Sequence, residues 1–165
     1  MLPPAQAPGS YRIELVCLGN ICRSPTAHVV LEARLADAGL DRVEVSSSGT
    51  GDWHVGGPMD RRAAAALTTA GYDATRHRAR QHDPAEGVDL VLAMDDANLR
   101  DLGGRTERIR KLRDFDPVGH SVEGGSDVPD PYYGGDDGFE EVLTMVERTA
   151  SAIVDALRRE RPWVP

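Results

Sequence analysis

The sequence predicts an α/β domain of three layers, a four-stranded parallel sheet with helices on both faces. Two observations carry that expectation. Short apolar runs alternate along the chain with stretches of helical spacing, a pattern met by a parallel sheet covered on both sides. The first such unit is strand, tight loop and helix, with Cys17 to Ser24 at the junction.

Taken in order, Ile13 to Cys17 is apolar except at Glu14 and long enough for a buried strand. Ser24 and Pro25 offer an N-cap and a first-turn proline. Ala27, Val30, Leu31, Leu35 and Ala38 then keep one helical stripe, which Gly39 can end in a left-handed turn. Val43 to Ser47 reads as a second strand, and Pro58 opens an alanine-rich helix closing near Gly71. Val88 to Met94 is a third, mostly apolar and therefore central strand. A short helix from Asp95 to Leu102 and a shorter strand from Ile109 to Leu112 follow. Finally, Phe139, Val142, Leu143, Val146, Ala150, Ile153 and Leu157 hold helical spacing. Acids crowd the start of that helix and Arg158 and Arg159 its end, as the helix dipole favours.

A chain of 165 residues, 40% hydrophobic and 28% charged, suits one globular domain that buries a core without disulfides. No apolar run approaches the ~20 residues of a spanning helix. The formal charge of −8 argues against nucleic acid or an anionic membrane as partner. A small phosphorylated substrate remains compatible, because aligned dipoles and one arginine make a locally positive pocket. Cys17 and Cys22 lie too close in sequence for a disulfide framework, which suits a reducing, cytoplasmic setting. Residues 1–10 hold three prolines and no basic residue, unlike a secretory leader. They are expected to form a flexible arm outside a single domain spanning 11–165. Arg113 to Gly135 lacks periodicity and is rich in Gly, Pro and Asp; a loop of that length is expected to be functional.

The run Cys17-Leu18-Gly19-Asn20-Ile21-Cys22-Arg23-Ser24 sits where strand gives way to helix. Unpaired amides and the positive end of a helix dipole gather there and bind anions. Gly19 lets successive N–H groups converge. Five intervening residues place Cys17 and Arg23 at opposite ends of one cradle, sulfur beneath a bound phosphate and guanidinium over two of its oxygens. The same field favours the thiolate, and Ser24 can add a hydroxyl hydrogen bond. A cysteine ending a buried strand is ordinarily just a small hydrophobe; its company of Gly19, Arg23, Ser24 and Pro25 points instead to a nucleophile. A Cys17/Cys22/His28 metal site lacks a fourth ligand, and the Gly-Lys-Ser/Thr ending of a nucleotide loop is absent. No metal or cofactor is expected.

Expelling a phenol from phosphorus calls for an acid. Asp130, followed by Pro131, Tyr132, Tyr133 and Gly134 in the late loop, is the candidate, with the two tyrosines as aromatic walls for a flat substrate.

Together these residues resemble the low-molecular-weight protein tyrosine phosphatases. The likeness is carried by Val16 to Pro25 and Asp130 to Gly134, with Ser48-Gly49-Thr50, Asp52 to Gly56 and His77 to Gln81 between them. It implies a nucleophile Cys17, a clamp Arg23 and an acid Asp130, acting on tyrosine-phosphorylated proteins through a phosphocysteine. The sequence names no oligomeric state, and a monomer is the favoured expectation. The likeness further implies that Asn20, Ser24, Ser48 and His77 brace the loop, with Asn20 left-handed. Leu18, Ile21, Trp53, Tyr132 and Tyr133 would line the substrate cleft. Relatives similar to arginine phosphatases tend to carry threonine at the place of Ile21 and phenylalanine at that of Tyr132, so both residues here favour phosphotyrosine. Cys22 matches the family's second cysteine, which can pair with the nucleophile on oxidation. His28 stands where relatives often have glutamate, and His120 to Asp130 is expected to reshape the cleft rim. An arsenate reductase would need two further cysteines to relay a disulfide, and a non-catalytic phosphotyrosine-binding module would have no use for all of Cys17, Arg23 and Asp130.

Overall fold

The computed structural model describes residues 1–118 and 126–165. Strands β1 (Tyr11–Cys17), β2 (Val43–Gly49), β3 (Leu90–Ala93) and β4 (Ile109–Lys111) form one sheet. Their order is β2-β1-β3-β4 and every pairing is parallel. Helices α1 (Arg23–Asp37), α2 (Arg61–Thr69), α3 (Asp96–Asp101) and α4 (Asp137–Glu160) connect or follow the strands. The first strand is thus central, and its carboxyl end opens where α1 begins, the edge at which open parallel sheets bind ligands.

Alternation along β1 divides the core unequally. Ile13, Leu15 and Cys17 join Val30, Leu31, Leu67, Val146, Ile153 and Leu157 in one large cluster under α1, α2 and α4. On the opposite face Val16, Val88 and Val91 make a small cluster with Leu102 and Ile109 beside α3. Glu14 shares that thinner face and is fully buried. A residue that merely interrupts the apolar run in the sequence is therefore an interior carboxylate.

Helix α1 starts one residue ahead of its expected cap. Cys22 occupies the N-cap position without a side-chain cap bond, because the Ser24 hydroxyl points to sulfur instead. Its other end is as expected: Gly39 is left-handed at φ 67°, and its neighbour's N–H (Leu40) reaches back to Leu35 O at 3.0 Å. In α2 the cap is Asp60, whose carboxylate accepts the Arg62 amide at 2.8 Å. Strand β3 is shorter than the apolar run, since Val88 and Asp89 turn toward the amino-terminal segment.

The expectation of a loose arm at residues 1–10 is overturned. Leu2 is buried in the main core, and the Tyr11 hydroxyl donates to Pro3 O at 3.1 Å. The amides of Ala5 and Gln6 reach Pro162 O at 2.9 Å and the Asp89 carboxylate at 2.7 Å. Prolines lack an N–H and cannot join a ladder, but their extended chain docks through its carbonyls and the few amides between them.

After β4, the described residues up to 118 and from 126 are held by side-chain and backbone bonds. Asp116 is fully buried and accepts two hydrogen bonds from Arg148 at 2.7 Å and one from Arg113 at 2.9 Å. The Arg148 bonds in particular, against the opposing effect of burial, hold its carboxyl well below the usual range. Val128 donates its amide to Met94 O at 2.7 Å, fastening the loop to the end of β3. His120 to Gly125, part of the segment expected to shape the cleft rim, lies outside the described residues.

Candidate active site

The junction of β1 and α1 folds as a cradle around Cys17. Its sulfur is buried, 3.0 Å from the Ser24 hydroxyl and 3.3 Å from the Asn20 amide that donates to it. Asn20 is left-handed at φ 56°, a conformation asparagine tolerates, and this turn swings its amide inward. Among the described residues, the amides of Ile21, Cys22, Arg23 and Ser24 have no protein acceptor. They remain free to receive an anion at the amino end of a 15-residue helix.

Asn20 is the most heavily braced member. Its side-chain amide donates to Ser24 Oγ at 2.8 Å and Ser47 Oγ at 3.1 Å, and its Oδ1 accepts the Arg80 amide at 3.0 Å. Its carbonyl accepts from His77 Nε2 at 2.6 Å. Burial pushes His77 below the ordinary histidine value, with its backbone bond to Asn20 opposing, so the ring donates in its neutral form. Ser48 meets the loop through its carbonyl, which accepts from the Ser24 hydroxyl at 3.3 Å. The serine whose hydroxyl faces Asn20 is Ser47, one position earlier. Gly49 follows for steric reasons: a Cβ there would lie 2.6 Å from Leu18 O.

Arg23 is almost fully buried and held by three groups. Its Nη1 pairs with Asp95 at 2.6 Å and donates to Val128 O at 3.1 Å, and its Nη2 stands 3.6 Å from Asp130. Asp95 also caps α3 by accepting the Asn98 amide at 2.7 Å. One aspartate thereby ties the guanidinium to the end of β3.

A cavity of about 300 Å³ opens above the cradle. Cys17, Leu18, Gly19, Ile21, Cys22 and Arg23 line its floor, and Trp53, His54, Asp130, Tyr132 and Tyr133 its walls. The tyrosine rings meet edge to face at 4.9 Å. Arg62 steadies that wall by donating to Tyr132 O at 3.0 Å. Trp53 is largely exposed, and it covers Gly51 so closely that a Cβ there would sit 1.9 Å from a ring carbon. Cys22 is buried beside the cradle and unbonded to Cys17; burial, then the Asp60 charge, push its thiol up to about 12.

All the residues singled out in the sequence therefore gather at one place, and five others join them. Ser47, Arg80 and Asp95 contact the loop or its arginine directly, His54 packs against Gly19, and Glu14 stands behind the loop. Arg80 lies inside the His77–Gln81 segment, and Asp95 directly follows the third apolar run, but their partners are far away in the chain.

An amide-lined cradle with a thiol at its base, on the carboxyl edge of a parallel sheet, has the strand–loop–helix geometry at which anions are generally bound. The family model for low molecular weight phosphotyrosine protein phosphatases matches residues 12–162. A low molecular weight protein-tyrosine-phosphatase of Streptomyces coelicolor is 48% identical over 92% of this chain and 96% of its own length. The pig low molecular weight phosphotyrosine protein phosphatase is 35% identical over 87% and 93%. Among solved structures, a protein tyrosine phosphatase from Entamoeba histolytica with Hepes in its active site superposes with a TM-score of 0.83. It is 29% identical, with 92% of this chain and 99% of that one covered. The chain belongs to the low molecular weight phosphotyrosine protein phosphatase family, and it is a hydrolase.

Proposed function

We propose that this phosphatase hydrolyses phosphotyrosine in proteins, and small aryl phosphates, through a phosphocysteine formed on Cys17. The observation that carries the reading is the sulfur held by Ser24 Oγ at 3.0 Å and the Asn20 amide at 3.3 Å, at the base of the free amides. A substrate phosphate seated there has the sulfur beneath it and Arg23 across its oxygens. Attack forms the S–P bond as the P–O bond to the phenol breaks, and Asp130 gives its proton to the departing oxygen. Asp130 then takes a proton from water, whose oxygen attacks phosphorus, breaks the S–P bond and releases inorganic phosphate. Arg23 and the amides stabilise the equatorial oxygens in both steps.

The walls support an aromatic leaving group. Trp53, Tyr132 and Tyr133 flank the mouth, and Ile21 keeps one side apolar, which suits a phenyl ring better than the charged guanidine of phosphoarginine. Cys22, next to Arg23 in sequence, is the resolving thiol of the proposal, and the two free thiols suit a cytoplasmic setting. The deciding experiment is rapid-quench turnover of a phosphotyrosine peptide. A covalent phosphoenzyme in the wild type, and neither phosphoenzyme nor turnover in folded Cys17→Ser, is expected. Residual turnover by Cys17→Ser would assign the chemistry to another nucleophile.

A further inference from the structure

We propose that Glu14 is a positioning residue for the phosphate loop, acting through Arg80 and Ser48; this rests on the reading of the Cys17 cradle given above. Glu14 lies on β1 three residues before Cys17, on the thin face of the sheet, and is fully buried. Its Oε1 accepts from the Ser48 hydroxyl, from Arg80 Nη2 at 3.3 Å and from His82 Nδ1 at 3.1 Å. Its Oε2 is buried and, among the described residues, has no partner. Burial opposes ionisation, but the bonds from His82 and Ser48, with the charges of His82 and Arg80, hold the carboxyl below its ordinary value.

As packing, this is a poor arrangement. A buried carboxylate with one orphaned oxygen is expensive, and apolar replacements of buried ion pairs are often neutral or stabilising. The neighbouring β1 side chains Ile13, Leu15 and Val16 show what the fold alone requires there. What Glu14 does accomplish is visible in its partners. Arg80 gives Nη2 to Glu14, Nε to Ser47 O at 3.0 Å and its amide to Asn20 Oδ1 at 3.0 Å. Ser48 donates its hydroxyl to Glu14, and its carbonyl accepts from the Ser24 hydroxyl. Among the described residues, Asn20 and Ser24 hydrogen-bond the Cys17 sulfur. Both routes from the carboxylate therefore end on a hydrogen-bond partner of the nucleophile, one step away from it.

The segment from Ala79 to His82 lies beside Glu14 on this part of the sheet. It is joined to the end of β2 by Gly49 N to Arg80 O at 2.9 Å and His82 N to Gly49 O at 2.8 Å. Glu14 fixes the inner side of that segment, as Glu86 fixes the outer through Arg80 Nη1 at 2.6 Å.

The test compares Glu14→Gln, Glu14→Leu, Arg80→Met and the double variant Glu14→Gln/Arg80→Met. The readouts are p-nitrophenyl phosphate kinetics, the thermal shift given by inorganic phosphate, and melting temperature. Glu14→Leu leaves the buried Ser48 hydroxyl and His82 without this acceptor and is expected to fold with a lowered melting temperature, while its kcat falls about tenfold or more and phosphate binding weakens. Glu14→Gln keeps an acceptor for Ser48 and His82 and recovers part of the loss. The double variant should be no worse than the larger single, because both changes cut one route. Normal kcat and phosphate binding in folded Glu14→Leu, or a strictly additive double, would overturn the proposal. Should a Glu14 variant not fold, Arg80→Met alone decides: unchanged kcat and phosphate binding overturn it, and their loss supports it. Turnover by Cys17→Ser would sink the nucleophile assignment alone, because the phosphate shift reports the loop without any chemistry.

Discussion

Arg23 and Asp95 form a 2.6 Å ion pair beneath the cradle, with the guanidinium nearly buried and the carboxylate also capping α3. The guanidinium proposed to clamp phosphate is thus held by a residue 72 positions away in sequence. Asp95→Asn keeps a good helix cap but loses the charge that orients Arg23. Its melting temperature should stay close to wild type while kcat/KM on p-nitrophenyl phosphate falls about 10- to 100-fold. An unchanged kcat/KM would show that Val128 O and the loop suffice to aim the guanidinium.

Asp130 stands across the cavity, exposed enough to meet solvent water and 3.6 Å from Arg23. Asp130→Asn should slow aryl phosphate cleavage by roughly 10²–10⁴-fold. The loss should be smallest for the most acidic phenols, which leave without a proton. A series of substituted phenyl phosphates checks this, and a deficit independent of leaving group would place the acid elsewhere.

Gly51 and Trp53 make a prediction about recognition alone. Alanine at Gly51 forces the indole aside, since its Cβ would meet the ring at 1.9 Å. Trp53 is exposed and can move, so stability should barely change. Steady-state kinetics with a phosphotyrosine peptide should show a raised KM with kcat kept; equal values for both proteins would exclude Trp53 from substrate contact.

Two histidines set a pH dependence of stability. Burial pushes His28 and His77 below the ordinary histidine value, against the pull of Glu32 on the first and of the Asn20 carbonyl on the second. The unfolded chain therefore binds protons more readily near its own value of about 6.5. The stabilisation from neutral rings is complete above that pH and is lost as pH falls through it toward the folded values. Melting temperature should drop from pH 7.5 to pH 5, and His28→Asn should flatten part of the slope. An identical slope in that variant would remove His28 from the account.

The fold was legible wherever periodicity sufficed: four apolar runs became the four strands, and Gly39 and Gly71 mark helix ends as left-handed residues. What escaped depends on which way one atom turns or on contacts across the chain. Ser24 looks like a cap until its hydroxyl is seen on sulfur. Ser47 and Ser48 are indistinguishable in sequence, but a strand sends them to opposite faces; only the pairing of Leu15 with Ser47 and Val16 with Ser48 decides which reaches Asn20. Residues 1–10 carry no pattern at all, because their docking uses carbonyls and single amides rather than a repeating face.

The bare start of α1 has a thermodynamic consequence. With Ser24 committed to the thiol and Cys22 giving no side-chain cap, any tetrahedral oxyanion that enters the cradle supplies the cap that the chain withholds. Vanadate, sulfate and phosphate should therefore act as folding ligands as well as inhibitors, each adding about 2.7 kcal/mol at a hundred times its dissociation constant. Under the proposed mechanism catalysis and conformational stability draw on the same few amides, and the melting temperature should be highest with inorganic phosphate bound.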